Sequence, residues 1–128
     1  MIEVKSPFGN LLGIRVTEWT ATDVRLELPL KADLRTISGT LHGGVIAALV
    51  DFAGSMAGSQ RPEPGEWPQN VVSLSISVNF VGRVAGDLVR IHGWKVGGGR
   101  RIYMSSVKIT EPGGNLVATG QGAFKLIA

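Results

Sequence analysis

Residues 41–58 read LHGGVIAALVDFAGSMAG, and no other part of the chain offers a long stretch with the 3.6-residue period of a helix. The segment opens on His42, Gly43 and Gly44 and closes near Gly58, where the breaker-rich GSQRPEPGEWPQ begins. Most of the remainder alternates. At 71–80, VVSLSISVNF sets Val72, Leu74, Ile76, Val78 and Phe80 on one face and Ser73, Ser75, Ser77 and Asn79 on the other, the pattern of a half-buried strand with a polar outer face. DVRLELPL at 23–30 repeats it with Val24, Leu26 and Leu28 against Arg25 and Glu27. Further strands are expected at 12–20, 86–96, 101–110 and 115–126, divided by turn-forming clusters such as the glycines at 97–99 and PGGN at 112–115. The order strand, strand, helix, four strands predicts an α+β fold, one long helix held inside the curve of a mostly antiparallel sheet. At 128 residues, with no linker or repeat, residues 1–128 are expected to be a single domain.

Composition narrows the function classes. The longest apolar run in the helix, VIAALV, falls far short of the roughly 18 residues that span a bilayer. The start, MIEVKSPFGNLLG, lacks the charged opening and apolar middle of a signal peptide, so a cytoplasmic protein without a membrane partner is expected. The absence of cysteine removes disulfides, Cys nucleophiles and thiolate metal sites, and two histidines outside any HExxH pattern give no metal site. The net charge of +3 divides unevenly, with −2 over the first 82 residues and +5 from Arg83 onward. Such an excess suits a phosphorylated ligand or a solvated face. Nucleic acid is the weaker reading, because the basic residues are not interleaved with aromatics and no nucleic-acid motif is present.

Two stripes run along the helix. Val45, Leu49, Phe52 and Met56 keep the 4-3-4 spacing of a face that belongs in a core. Gly44, Ala47, Ala48, Asp51 and Ser55, ending at Gly58, form a second stripe small enough for another backbone or a ligand to come close. Asp51 is the only charge between Gly43 and Gly58. A solvated helix edge would account for one carboxylate, but such edges carry several charges, and a lone one on a small-residue stripe is better explained as one end of a site. The helix start supplies the other end. N–H groups of the first turn have no intrahelical partner and carry the positive end of the dipole, so Gly43 and Gly44 can donate to an oxygen gaining negative charge. Gly43 and Asp51 stand about 12 Å apart along the axis at 1.5 Å per residue, whereas a reacting carbonyl must lie about 3 Å from both donor and base. Two copies paired about a two-fold axis with antiparallel helices resolve this, giving two equivalent sites shared between subunits.

These residues carry a family resemblance. The segment SGTLHGGVIAALVDFAGSMAG, the strand VVSLSISVNFVGRVAGDLVRI and the turn GGGRR are similar to the hotdog-fold acyl-CoA thioesterases of the phenylacetate-degradation (PaaI-like) type, over nearly the whole chain from Leu12 onward. The resemblance implies a curved antiparallel sheet wrapped around one long central helix. It implies an acyl-CoA substrate, aryl or medium-chain, hydrolysed in a homodimer or in a homotetramer built of two dimers, without a separate cofactor because coenzyme A is part of the substrate. It makes Asp51 the nucleophile or general base, the Gly43 N–H the group that polarises the thioester carbonyl, Ser73 a residue that positions water, and His42 a brace for the helix start. Similar proteins often carry Asn near the position of Thr36, where a hydroxyl cannot copy an amide; the rival it favours is a hotdog module that binds acyl-CoA without turning it over. Arg83, Arg100 and Arg101, with Gly44, are the expected substrate contacts, the arginines meeting coenzyme A phosphates. Arg90 and Lys95 are lesser candidates, His92 is read as structural, and Trp67 either lines the acyl pocket or packs on its own loop.

Overall fold

A computed structural model describes residues 2–59, 66–68 and 70–127. Residues 60–65 and 69, which belong to the expected loop after the helix, lie outside the described residues. The elements are α1 (Pro7–Leu12), β1 (Arg15–Trp19), β2 (Asp23–Pro29), a 3-10 turn at Ala32–Leu34, α2 (Gly43–Gly58), β3 (Val71–Phe80), β4 (Leu88–Gly98), β5 (Ile102–Thr110) and β6 (Leu116–Leu126). The first expected strand therefore starts three residues later than its alternation suggested, and a short helix precedes it. Ser6 caps that helix by accepting from the Gly9 N–H at 3.1 Å, Pro7 occupies its first turn, and Gly13 closes it at a φ of 89°. Six residues are too few to display a period, but the Ser-Pro opening and the Gly ending are the punctuation of helix ends.

The six strands make one antiparallel sheet in the order β1-β2-β4-β5-β6-β3, open at β1 and β3. Its inner face carries Val24, Leu26, Leu28, Val89, Ile91, Val107, Ile109 and Phe124, all buried, and α2 lies across that face in contact with β2 through β6. Single-sided alternation is what allows this, since one face of each strand is apolar and the long helix α2 covers it.

The seating of α2 differs from the expected stripe. Leu49 and Met56 are buried as expected, but Val45 and Phe52 are half-buried flanks, and the deep face is Ile46, Val50, Ala53, Gly54 and Ala57. Small residues bury best here because they let the sheet approach the helix backbone. A Cβ placed on Gly58 would lie 1.9 Å from Tyr103 Cδ2, so the end of the small stripe is filled by an aromatic ring of the same chain.

β3 carries the second correction. Its pairing with β6 slips between Ser73 and Ser75, so that Ser73 faces Phe124 while Ile76, Val78 and Phe80 face Gly122, Gly120 and Ala118. Phe124 and Ala118 are buried, and paired residues point to the same side. The bulge thus moves Ser73 from the outer serine row onto the inner face, with Ile76, Val78 and Phe80. Nor is β3 half-buried. As an edge strand it leaves Leu74 52% and Phe80 61% exposed.

Candidate active site

The helix start is built by three local devices. His42 is the N-cap, with φ −65° and ψ 135°, and its Nδ1 accepts from the Gly44 N–H at 2.9 Å, which fixes the imidazole as a brace with the remaining nitrogen pointing away from the cap. The His42 carbonyl accepts from Val45 and Ile46 at 3.0 and 3.1 Å. The Gly44 N–H is therefore already used, while the Gly43 N–H makes no hydrogen bond among the described residues. Of the two glycines named from sequence, only Gly43 offers a free donor. Phe80 stands over it, with its Cε1 3.3 Å from where a Gly43 Cβ would be.

Asp51 projects from the half-buried flank of α2 toward the open β3 edge, and Ser73 Oγ donates to its Oδ1. The bulge in β3 makes that contact possible, since unbroken alternation would turn Ser73 away from the helix. One turn further along α2, Tyr103 donates from its hydroxyl to the Ser55 carbonyl at 2.5 Å. Burial pushes the Tyr103 hydroxyl up to about 12, so it remains a donor and anchors the helix under Asp51.

Thr36 lies in the turn before the helix, its hydroxyl hydrogen-bonded with that of Ser38 at 3.0 Å, and it lines an open surface depression with Ile37 and His42. That turn is tied down by residues the sequence did not single out. Arg35 donates to the carbonyls of Gly39 and Gly86 at 3.0 and 3.1 Å, and Thr40 Oγ1 accepts from the Val84 N–H at 3.0 Å. Arg83 donates to the Ser38 carbonyl at 3.3 Å and so stands beside the helix start. Arg100 and Arg101 lie at the β4–β5 turn, where the Arg101 carbonyl accepts from the Leu126 N–H at 2.6 Å, next to the beginning of β3 and the end of α2. Within one chain Arg83 is thus apart from Arg100 and Arg101, and Gly43, at the start of α2, is apart from Asp51 at its middle.

His92 lies on the outer face, 2.7 Å from Asp23 across β2 and β4 and 4.9 Å between ring centroids from Trp94, and takes no part in this site. Arg90 pairs with Glu27 at 3.5 Å and Lys95 donates to the Gly99 carbonyl at 3.1 Å. Trp67 does more than pack on its own loop. It meets Trp19 edge-on at 4.9 Å and Phe52 at 6.4 Å, and its Nε1 donates to the Glu3 carbonyl at 3.0 Å.

An open antiparallel sheet wrapped around one long helix is the hotdog fold. The family model described as "Thioesterase superfamily" matches residues 38–118. A Mycobacterium tuberculosis protein named "Putative esterase Rv1847" is 28% identical over 120 residues, 94% of this chain and 86% of that one. A mutant of the phenylacetic acid degradation protein PaaI from Thermus thermophilus superposes with a TM-score of 0.81 at 25% identity, covering 95% of this chain and 100% of that one. A thioesterase from Haemophilus influenzae does so with a TM-score of 0.81 at 25% identity, covering 96% and 84%. The chain belongs to the thioesterase superfamily, and its enzyme class is thioester hydrolase. No helix among the described residues is long and apolar enough to cross a membrane.

Proposed function

We propose that the protein hydrolyses an acyl-CoA thioester to the free acid and coenzyme A, with Asp51 as general base or nucleophile and the Gly43 N–H polarising the thioester carbonyl. The observation that carries this reading is the Asp51–Ser73 pair at an open sheet edge, together with a helix-start N–H left without a partner among the described residues. Water would add to the carbonyl carbon, its proton passing to Asp51 and then to the sulfur as the C–S bond breaks. Alternatively Asp51 would displace the thiolate and the resulting anhydride would be hydrolysed. Ser73 holds the carboxylate and the water, and His42 keeps the helix start in place. Thr36 would stand beside the substrate without supplying an amide. No metal or separate cofactor enters the scheme.

The roughly 12 Å between Gly43 and Asp51 supports a site shared by two subunits with antiparallel helices. That arrangement also favours one chain's Arg83 approaching the other chain's Arg100 and Arg101, so that the three could meet the phosphates of one coenzyme A. A homodimer suffices for this, and a homotetramer of two such dimers is compatible with it. The test is release of free coenzyme A, read with a thiol reagent, from aryl, short, medium and long acyl-CoA thioesters by the wild-type and Asp51→Asn proteins. A positioned base is worth about 10²- to 10⁴-fold, so the mutant is expected to lose at least about a hundredfold in rate with its fold intact. No release by the wild type while acyl-CoA still binds would replace this reading with the binding module.

A further inference from the structure

The contact between Ser73 and Asp51 is one end of a longer structure. Register places Ser73 of β3 opposite Phe124 of β6, and Phe124 opposite Tyr103 of β5. Cross-strand partners point to the same side, so the three form a row across the inner face, running inward from the sheet edge. Ser73 joins this row because of the bulge that follows it. Both rings are fully buried, and they stack with 5.8 Å between centroids and 28° between planes. Across from the row lie Asp51, Gly54, Ser55 and Gly58, which share one face of α2 at three- and four-residue spacing.

Each member of the row meets its own part of that stripe. Ser73 donates to the Asp51 carboxylate, and the Phe124 ring rests where a Cβ on Gly54 would be 2.6 Å from its Cζ. Tyr103 lies against Gly58 and donates to the Ser55 carbonyl. From Asp51 to Gly58 the helix rises about 10.5 Å, and the two strand spacings from β3 to β5 measure about 9.6 Å, so stripe and row keep step. The rings set the depth of α2, and the Tyr103 hydroxyl sets its axial position one turn beyond Asp51.

We infer that Tyr103 and Phe124 are positioning residues for the Asp51–Ser73 pair, holding the stripe in register with the row and so setting where the carboxylate meets the serine. The inference rests on Asp51 being the reacting carboxylate. An edge strand is a poor reference for that register. Among the described residues β3 is paired on one side only, whereas β5 and β6 are each paired on both. A displacement of about 1 Å at a reacting group can cost about a hundredfold in rate, so a hold two strands away reaches the chemistry.

Tyr103→Phe tests this by removing the hydroxyl and keeping the ring. The end of α2 stays gripped by Trp19, whose Nε1 donates to the Met56 carbonyl at 3.0 Å, so the variant is expected to fold. With phenylacetyl-CoA and butyryl-CoA, kcat is expected to fall roughly fivefold while KM stays within about twofold. In a Ser73→Ala chain, where the pair is already broken, the same substitution is expected to leave kcat unchanged. Phe124→Leu, which nearly conserves volume, is expected to repeat the pattern. A merely structural role would instead lower kcat by equal factors in both backgrounds. A second readout needs no turnover: the NMR resonance of the Asp51 carboxyl carbon in protein carrying isotope-labelled aspartate, assigned with Asp51→Asn. Tyr103→Phe is expected to move it toward its position in Ser73→Ala. A resonance that moves so in a protein without hydrolysis would remove the thioesterase reading and keep the positioning role. An unmoved resonance, or equal kcat losses in both backgrounds, would overturn the positioning role.

Discussion

Asp51 takes its meaning from the side chain opposite it. A carboxylate on a helix flank is ordinary until a serine from another element donates to it, and Ser73 does so only because β3 bulges between positions 73 and 75. The Ser73–Asp51 bond is exposed and so adds little to stability, but it orients the carboxylate, and Ser73→Ala is expected to lower kcat roughly tenfold or more with the thermal midpoint almost unmoved. His42→Ala should behave the other way. Removing an N-cap costs about 1 kcal/mol, so its first effect is a thermal midpoint lower by a few degrees, seen in a melt followed by circular dichroism. Equal effects of both changes on rate and stability would contradict this division of labour. Asp51 is legible in the sequence as the only charge on its helix, and Gly43 as part of a permissive helix entry. That Gly44 spends its N–H on His42 is not legible, because it depends on which way the imidazole turns.

At the level of elements, alternation locates the strands within a few residues, since all but the exposed edge strand β3 are buried on one face only. It cannot locate the bulge, where the period is kept in the sequence but broken in the pairing. The buried face of α2 escapes the sequence pattern for a related reason. Spacing of the largest apolar residues points to the wrong depth, whereas Ala53, Gly54, Ala57 and Gly58 allow the closest approach of the sheet. Gly58→Ala would force a methyl group into the buried ring of Tyr103, and it is expected to cost about 1–3 kcal/mol in urea unfolding. On the outer face, His92 and then Thr22 hydrogen-bond Asp23 and hold its carboxyl below the usual carboxylate range. The folded state thus binds this proton less readily than the unfolded chain. The stabilisation is fully present above about pH 4, the unfolded carboxyl value, and fades as pH falls through the lower folded value. Asp23→Asn should flatten this part of the acid limb in a series of thermal melts from pH 5 downward; an unchanged limb would contradict it.

Taken whole, the molecule has two features that a single chain does not resolve. Among the described residues its β3 edge is unpaired and exposes Leu74, Ile76 and Phe80, in a fold whose other strands bury one face well. Its candidate donor and base lie at separate points along one helix. The proposed pairing of two copies across the β3 region would account for both, covering the edge and bringing one chain's Gly43 to the other's Asp51. The spacing along the helix is enough to expect a shared site from sequence; the edge position of β3 depends on strand order, which alternation does not encode. The most direct measurement is coenzyme A release by mixtures of Asp51→Asn chains with Gly43→Val chains, each inactive alone, after exchange of subunits has been verified. Val at position 43 must displace only the exposed Phe80 ring, so both chains are expected to fold. Hybrid dimers, each with one intact Gly43 and one intact Asp51 in the same site, are expected to recover up to half of the wild-type activity. No recovery in mixtures proven to contain hybrids would contradict a site built from two chains.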